Sequence, residues 1–376
     1  MASSQSESPG YEELLALVEE QPDAVEPVVV LADWLQLQEH PRGELIALQL
    51  AKETATGDAW ERLEQRATEH LASYASELLP SVGAARLRWR RGFVHRVEIG
   101  EEMTLLAGTL EQWARQPSMR LLRELSVELG GDRGANLRPL PSTLHKLEVR
   151  GIAGPISDLL PAAPALRTLA IEGVTDLEAL RHPALVELAL TVPRHAAFSG
   201  DDGELGARLT KLESHALPSL RRVSIEVPPE LFNRAMLDEA CRGLGESSLL
   251  RSLTQIELVG NLGVDGADAL ARGRAGQPTL EWLRVRNSTS AQLSRELRSI
   301  LQPLCRELVD NSLEKPLRAV RAKVDEPRER LVRNRFKPAW GVGRVLGERD
   351  GGIEVEFEEV GVRFLRSPEL LVDVVD

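Results

Sequence analysis

The chain has 376 residues, 42% hydrophobic and 28% charged, with a formal net charge of -12. That length allows two or three cores, and the acidic balance argues against a general nucleic-acid coat, because phosphate attraction needs a basic surface. Aromatics make up only 4%, so the core is expected to be aliphatic, and no apolar run is long enough to span a bilayer.

The Ser-rich stretch from Met1 to Gly10 lacks a charged-then-apolar signal pattern and is read as a disordered tail. Cys241 and Cys305 are the two cysteines; they form no Cys-x-x-Cys and no disulfide framework, which fits a reducing cytoplasm. Residues 11–80 read as a helical module, with Leu14, Leu17 and Val18 on one stripe, Val28, Leu31 and Leu35 on another, and Leu45, Leu48 and Gln49 on a third. Trp60, Leu63, Ala67, His70, Leu71 and Tyr74 mark a further helix. Asp33 and Arg42 are expected to form an ion pair or cap that fixes the helical turn. The blocks Val30-Leu31-Ala32-Asp33-Trp34-Leu35 and Pro41-Arg42-Gly43-Glu44-Leu45-Ile46-Ala47-Leu48-Gln49 resemble the bacterial repeat-companion domain, a short module that commonly precedes leucine-rich repeats.

From Leu122 to Val285 one phrase recurs: an aliphatic residue, two others, an aliphatic residue, one other, and an aliphatic residue. Its instances are Leu122/Leu125/Val127, Leu144/Leu147/Val149, Leu166/Leu169/Ile171, Leu185/Leu188/Leu190, Leu220/Val223/Ile225, Leu253/Ile256/Leu258 and Leu280/Leu283/Val285, at spacings of 22, 22, 19, 35, 33 and 27 residues. Val94/Val97/Ile99 is a weaker opening instance. The last two positions alternate as in a strand, and the phrase resembles the leucine-rich-repeat family, which implies stacked turns sharing one aliphatic core. The array is placed at residues 81–289, with a helical C-terminal cap at 290–325 built on Leu293, Leu297, Leu301, Leu304 and Leu308, and an Arg-rich linker at 326–335.

Residues 336–376 show short alternating runs with turns at Asp350-Gly351-Gly352 and near Gly361, which predicts four or five strands and a small barrel. Lys337-Pro338-Ala339-Trp340-Gly341-Val342-Gly343-Arg344-Val345 resembles the opening strand of the Tudor-like or SH3-like module of some DNA-repair helicases. The resemblance implies contact with RNA polymerase through that barrel. The fold class expected is therefore an α/β solenoid of irregular leucine-rich repeats with an N-terminal α-helical module and a small C-terminal β-barrel.

Chemistry-bearing motifs are missing. There is no Gly-x-Ser-x-Gly, no phosphate-binding Gly-x-x-x-x-Gly-Lys-Ser/Thr and no His-Glu-x-x-His. His182 and His195 have no partner at metal-ligand spacing and read as loop or cap residues. The acidic run Asp201-Asp202-Gly203-Glu204 lacks a calcium-loop pattern. Cys305 is followed by Arg306-Glu307, not by the Cys-x-Asp of the cysteine-based ubiquitin ligases that some bacterial effectors join to such repeats. No catalytic, cofactor or metal residue is assigned. Period-two geometry sends the residues around each aliphatic pair to the opposite face, and the expected protein-binding residues are Trp282, Arg284, Arg286, Glu257, Arg222 and Glu148, with Trp340 in the C-terminal segment. Trp282 has the competing role of packing on the helical cap. The expected function is a non-catalytic, cytoplasmic protein-binding adaptor. The rival is a transcription- or repair-associated protein docking on RNA polymerase or nucleic acid through the barrel.

Overall fold

A computed structural model describes residues 10–78, 85–100, 109–128, 137, 140–151, 156–173, 176–192, 204–228, 234–286, 293–310, 331–334, 342–349, 352–357, 361–366 and 372–375. The chain divides into two compact units, Met1–Glu314 and Lys315–Asp376. The first opens with five helices, α1 (Tyr11–Glu20), α2 (Glu26–Leu37), α3 (Pro41–Thr54), α4 (Asp58–Ser73) and α5 (Ala75–Leu78). Burial at i, i+3 and i+4 makes the first three amphipathic: Leu14, Leu15 and Val18, then Val28, Leu31 and Leu35, then Leu45, Ile46 and Leu48. Leu15 takes the inward place assigned to Leu17, which is exposed. Trp60 on α4 and Tyr74, just past its end, are also exposed, so the stripe predicted there is only partly a core face. Arg42 does not pair with Asp33. It is buried, donates to the Tyr11 hydroxyl at 2.9 Å and lies 5.4 Å from the Phe93 ring centroid. Asp33 is exposed, and the capping role falls to His40, whose Nδ1 accepts from the Arg42 N–H at 3.1 Å.

A ten-stranded sheet follows in sequential order: β1 (Arg86–Arg90), β2 (Phe93–Ile99), β3 (Glu124–Glu128), β4 (Lys146–Arg150), β5 (Thr168–Glu172), β6 (Glu187–Thr191), β7 (Arg222–Glu226), β8 (Gln255–Val259), β9 (Leu280–Arg286) and β10 (Cys305–Asp310). Only β1 and β2 pair antiparallel; every later neighbour is parallel. Their hairpin turns on Arg91-Gly92, both at positive φ of 52° and 77°, as a two-residue turn matched to strand twist requires. Within β3 to β7 burial alternates strictly, the repeated aliphatic residues being buried and their neighbours half-buried or exposed.

Parallel strands require crossovers, and here the crossovers differ. Between β5 and β6 the described residues make only the 3-10 turn Leu177–Ala179, whereas longer spacings carry the helices α7 (Glu204–Thr210), α8 (Arg234–Glu246) and α9 (Val264–Arg274). α6 (Thr109–Ala114) precedes β3 and α10 (Arg295–Leu301) precedes β10. The expectation of an irregular leucine-rich-repeat solenoid with a small barrel is therefore corrected. The architecture is one mostly parallel α/β sheet with unlike helical connections, because spacings of 19 to 35 residues leave very different lengths of chain to cover each return.

Two further corrections concern the C-terminal third. A helical cap was expected through residue 325, but Cys305–Asp310 is a strand paired parallel to β9. Pro303, in the 3-10 turn Gln302–Leu304, interrupts the helix after Leu301, and the open edge of β9 offers the ladder hydrogen bonds. In the second unit, β11 (Leu331–Asn334) lies within the expected linker and pairs with both β12 (Val342–Arg349) and β15 (Val372–Val375). With β13 (Gly352–Phe357) and β14 (Gly361–Arg366), these form an antiparallel sheet of order β14-β13-β12-β11-β15. Among the described residues β14 and β15 do not pair with each other. A barrel closes only when its edges meet, so the described strands make a five-stranded sheet in place of the predicted barrel.

Candidate binding face of the ten-stranded sheet

Register places the outward side chains in three rows across the strands. The middle row runs Glu148, Ala170, Ala189, Ser224, Glu257, Arg284. On one side lie Thr168, Glu187, Arg222, Gln255 and Trp282, and on the other Glu172, Thr191, Glu226, Val259 and Arg286. Neighbouring strands sit ~4.8 Å apart, so side chains in one row touch their neighbours.

At β7 to β9 these rows bring together five of the predicted residues. Glu257 is only 4% exposed. Its carboxylate meets Arg222 Nη2 at 2.7 Å, Arg286 Nη2 at 2.5 Å and Arg284 Nη1 at 3.7 Å. Burial pushes this carboxyl up, but the Arg222 hydrogen bond and the charges of Arg286, Arg222 and Arg284 outweigh it and hold Glu257 below the ordinary glutamate value. The guanidinium carbons of Arg222 and Arg284 lie 5.1 and 5.3 Å from the Trp282 ring centroid, so two cations engage one indole. Trp282 stands between Gln255 and Glu307 in register, on the same face as Arg284 and Arg286. It therefore belongs to the sheet face, and its competing assignment to a helical cap is set aside. Arg222 also reaches Glu187 at 3.3 Å.

A second feature adjoins this cluster. Over β4 to β7 the alanines at 170 and 189 leave a depression of about 520 Å3, walled by Lys146, Glu148, Arg150, Glu172, Glu187 and Glu226. Glu148 is in this wall, held by Arg150 at 2.6 Å, five strands from Trp282 and not part of its cluster. Trp340 lies outside the described residues. Glu187 was missed as a site residue, although it occupies the same place before Leu188 that Arg222 occupies before Val223.

The remaining candidates do not converge on chemistry. His182 is buried; its Nδ1 accepts from the Ala184 N–H at 3.3 Å, which leaves Nε2 to donate to the Ala163 carbonyl at 3.0 Å. His195 and residues 201–203 lie outside the described residues. Burial pushes the thiols of Cys241 and Cys305 up from their ordinary value, which disfavours the nucleophilic thiolate. Among the described residues no group of His, Cys, Asp and Glu could hold a metal ion, and no helix is long and apolar enough to cross a membrane. No family model, curated protein or solved structure matches this chain.

Proposed function

We propose that the chain is a non-catalytic bacterial adaptor working in the cytoplasm, and that it captures a protein partner on the outward face of the ten-stranded sheet. The observation that carries this reading is Trp282 held between Arg222 and Arg284, with Glu257 neutralising part of the arginine charge from beneath. Aromatic and arginine side chains dominate binding energy where they are rigid, because little rotamer freedom is lost on association. The resemblance of residues 30–49 to the repeat-companion module supports a bacterial origin.

The test is affinity capture with the full chain, followed by titration of the recovered partner. Trp282→Ala is expected to weaken binding about thirtyfold, which corresponds to ~2 kcal/mol, while leaving the melting temperature within a few degrees. Unchanged affinity in a folded Trp282→Ala variant would remove this face as the binding surface.

A further inference from the structure

The sheet face changes charge along its length. Over β4 to β7 the depression carries Glu148, Glu172, Glu187 and Glu226 against Lys146 and Arg150, and Arg150 is already bound to Glu148. Its floor is two methyl groups, Ala170 and Ala189, directly opposite each other. An acidic rim over an apolar floor suits a long cationic side chain, whose methylenes pack on the alanines while its head reaches the carboxylates. From Arg222 on β7 to β9 the sign reverses: Arg222, Arg284 and Arg286 surround the buried carboxylate of Glu257. A uniformly basic ligand meets repulsion at the arginines, and a polyanion such as nucleic acid meets it at Glu172 and Glu226.

We infer that this face binds an extended peptide carrying a basic residue in the depression and an acidic residue on Arg284 and Arg286. The inference rests on the face being the binding surface, and it adds the chemistry of the partner. From β5 or β6 to β9 is three or four strand spacings, about 14 to 19 Å, which an extended chain crosses in about four to six residues. The recognised element is thus a basic and an acidic residue about four to six positions apart, in either order, with the intervening backbone lying over Ser224 and against Trp282.

The experiment is selection of a displayed library of random peptides on the full chain, with titration of the enriched peptides. Enriched peptides should carry the two charges at that spacing. Their affinity should fall about tenfold or more for the double variant Glu172→Lys/Glu226→Lys and for Arg284→Glu. Replacing the basic residue of the peptide by an acidic one should restore binding to the double variant. Melting temperatures of the variants verify that each is folded. Peptides that lose binding with Trp282→Ala yet ignore the reversals at Glu172 and Glu226 would overturn the charge inference and leave the face itself standing. Peptides indifferent to every substitution on the face, or no enrichment, would overturn both.

Discussion

Glu257 is the residue on which the arrangement at β7 to β9 depends. Three guanidiniums converge on one carboxylate that is 4% exposed, so removing its charge leaves them to repel one another. Partial exposure of the arginines tempers the penalty, and Glu257→Gln is expected to cost about 1 to 3 kcal/mol in denaturant melts at neutral pH. The sign of the pH effect follows from the depressed carboxyl. In the unfolded chain Glu257 titrates at its ordinary value of 4.5 and in the folded chain below it. Its contribution is complete above that value and is lost as pH falls through the lowered folded value. Glu257→Gln should therefore show a shallower loss of stability on the acid side than the parent chain. Parallel acid limbs would mean that the three arginines do not hold this carboxylate in solution.

Among the elements, the strands and the helices are held by different devices. Each strand of the ten-stranded sheet contributes apolar residues to one shared core, in which Leu169 and Leu188 are fully buried and adjacent in register while Thr168 faces outward. Leu169→Ala and Leu188→Ala are each expected to cost about 2 to 5 kcal/mol, and Thr168→Ala far less, by chemical denaturation. Equal losses at all three would reverse the assignment of faces. The helices α7, α8 and α9 approach backbone to backbone. A Cβ on Gly243 would stand 2.0 Å from the Gly206 carbonyl oxygen, and one on Gly273 2.1 Å from that of Gly245. Gly243→Ala and Gly273→Ala should each cost about 1 to 3 kcal/mol or more, because backbone cannot yield as a side chain can, whereas Gly100→Ala meets nothing within 4 Å and should be near neutral. The strands were legible in the sequence because period-two alternation around Leu125, Leu147 or Leu188 is a local signal. The same alternation put Trp282, Arg284 and Arg286 on one face. Burial of Glu257 was not legible, since it depends on register set across connections of 33 and 27 residues. β10 was missed because Leu301, Leu304 and Leu308 satisfy helical spacing, and only the free edge of β9 selects the strand. Barrel closure was over-read for a related reason, as alternation within a strand says nothing about which edges meet.

Across the first unit, the N-terminal helices and the sheet share β2 as a common wall. Phe93 packs into the core of α1 to α3 while Val94, the next residue, packs into the core of the sheet. Polar contacts bind the same seam. Arg91, at positive φ in the β1–β2 turn, grips both oxygens of Glu53 at 2.8 Å and donates to the Asp23 carbonyl at 3.1 Å, while the Gly92 N–H donates to Gln49 Oε1 at 2.7 Å. Arg120 holds Glu12 and Glu19, each at 2.6 Å, and Arg123 holds Asp23 at 3.1 Å. Elements joined through one strand and several charge-assisted hydrogen bonds unfold together, because opening the helices would expose Phe93 and leave Arg91 without its acceptors. Calorimetry of the Met1–Glu314 fragment should accordingly show a single transition covering helices and sheet. Arg91→Ala should lower that transition as a whole, by about 2 to 4 kcal/mol for a largely buried guanidinium losing a bidentate partner, without splitting it. A chain beginning at Ala85 should lack a cooperative melt, since Phe93, Trp89 and Leu121 would lose the helices that cover them. Two separate transitions in the fragment, or a well-folded sheet in the shortened chain, would show instead that the helical module is a domain in its own right.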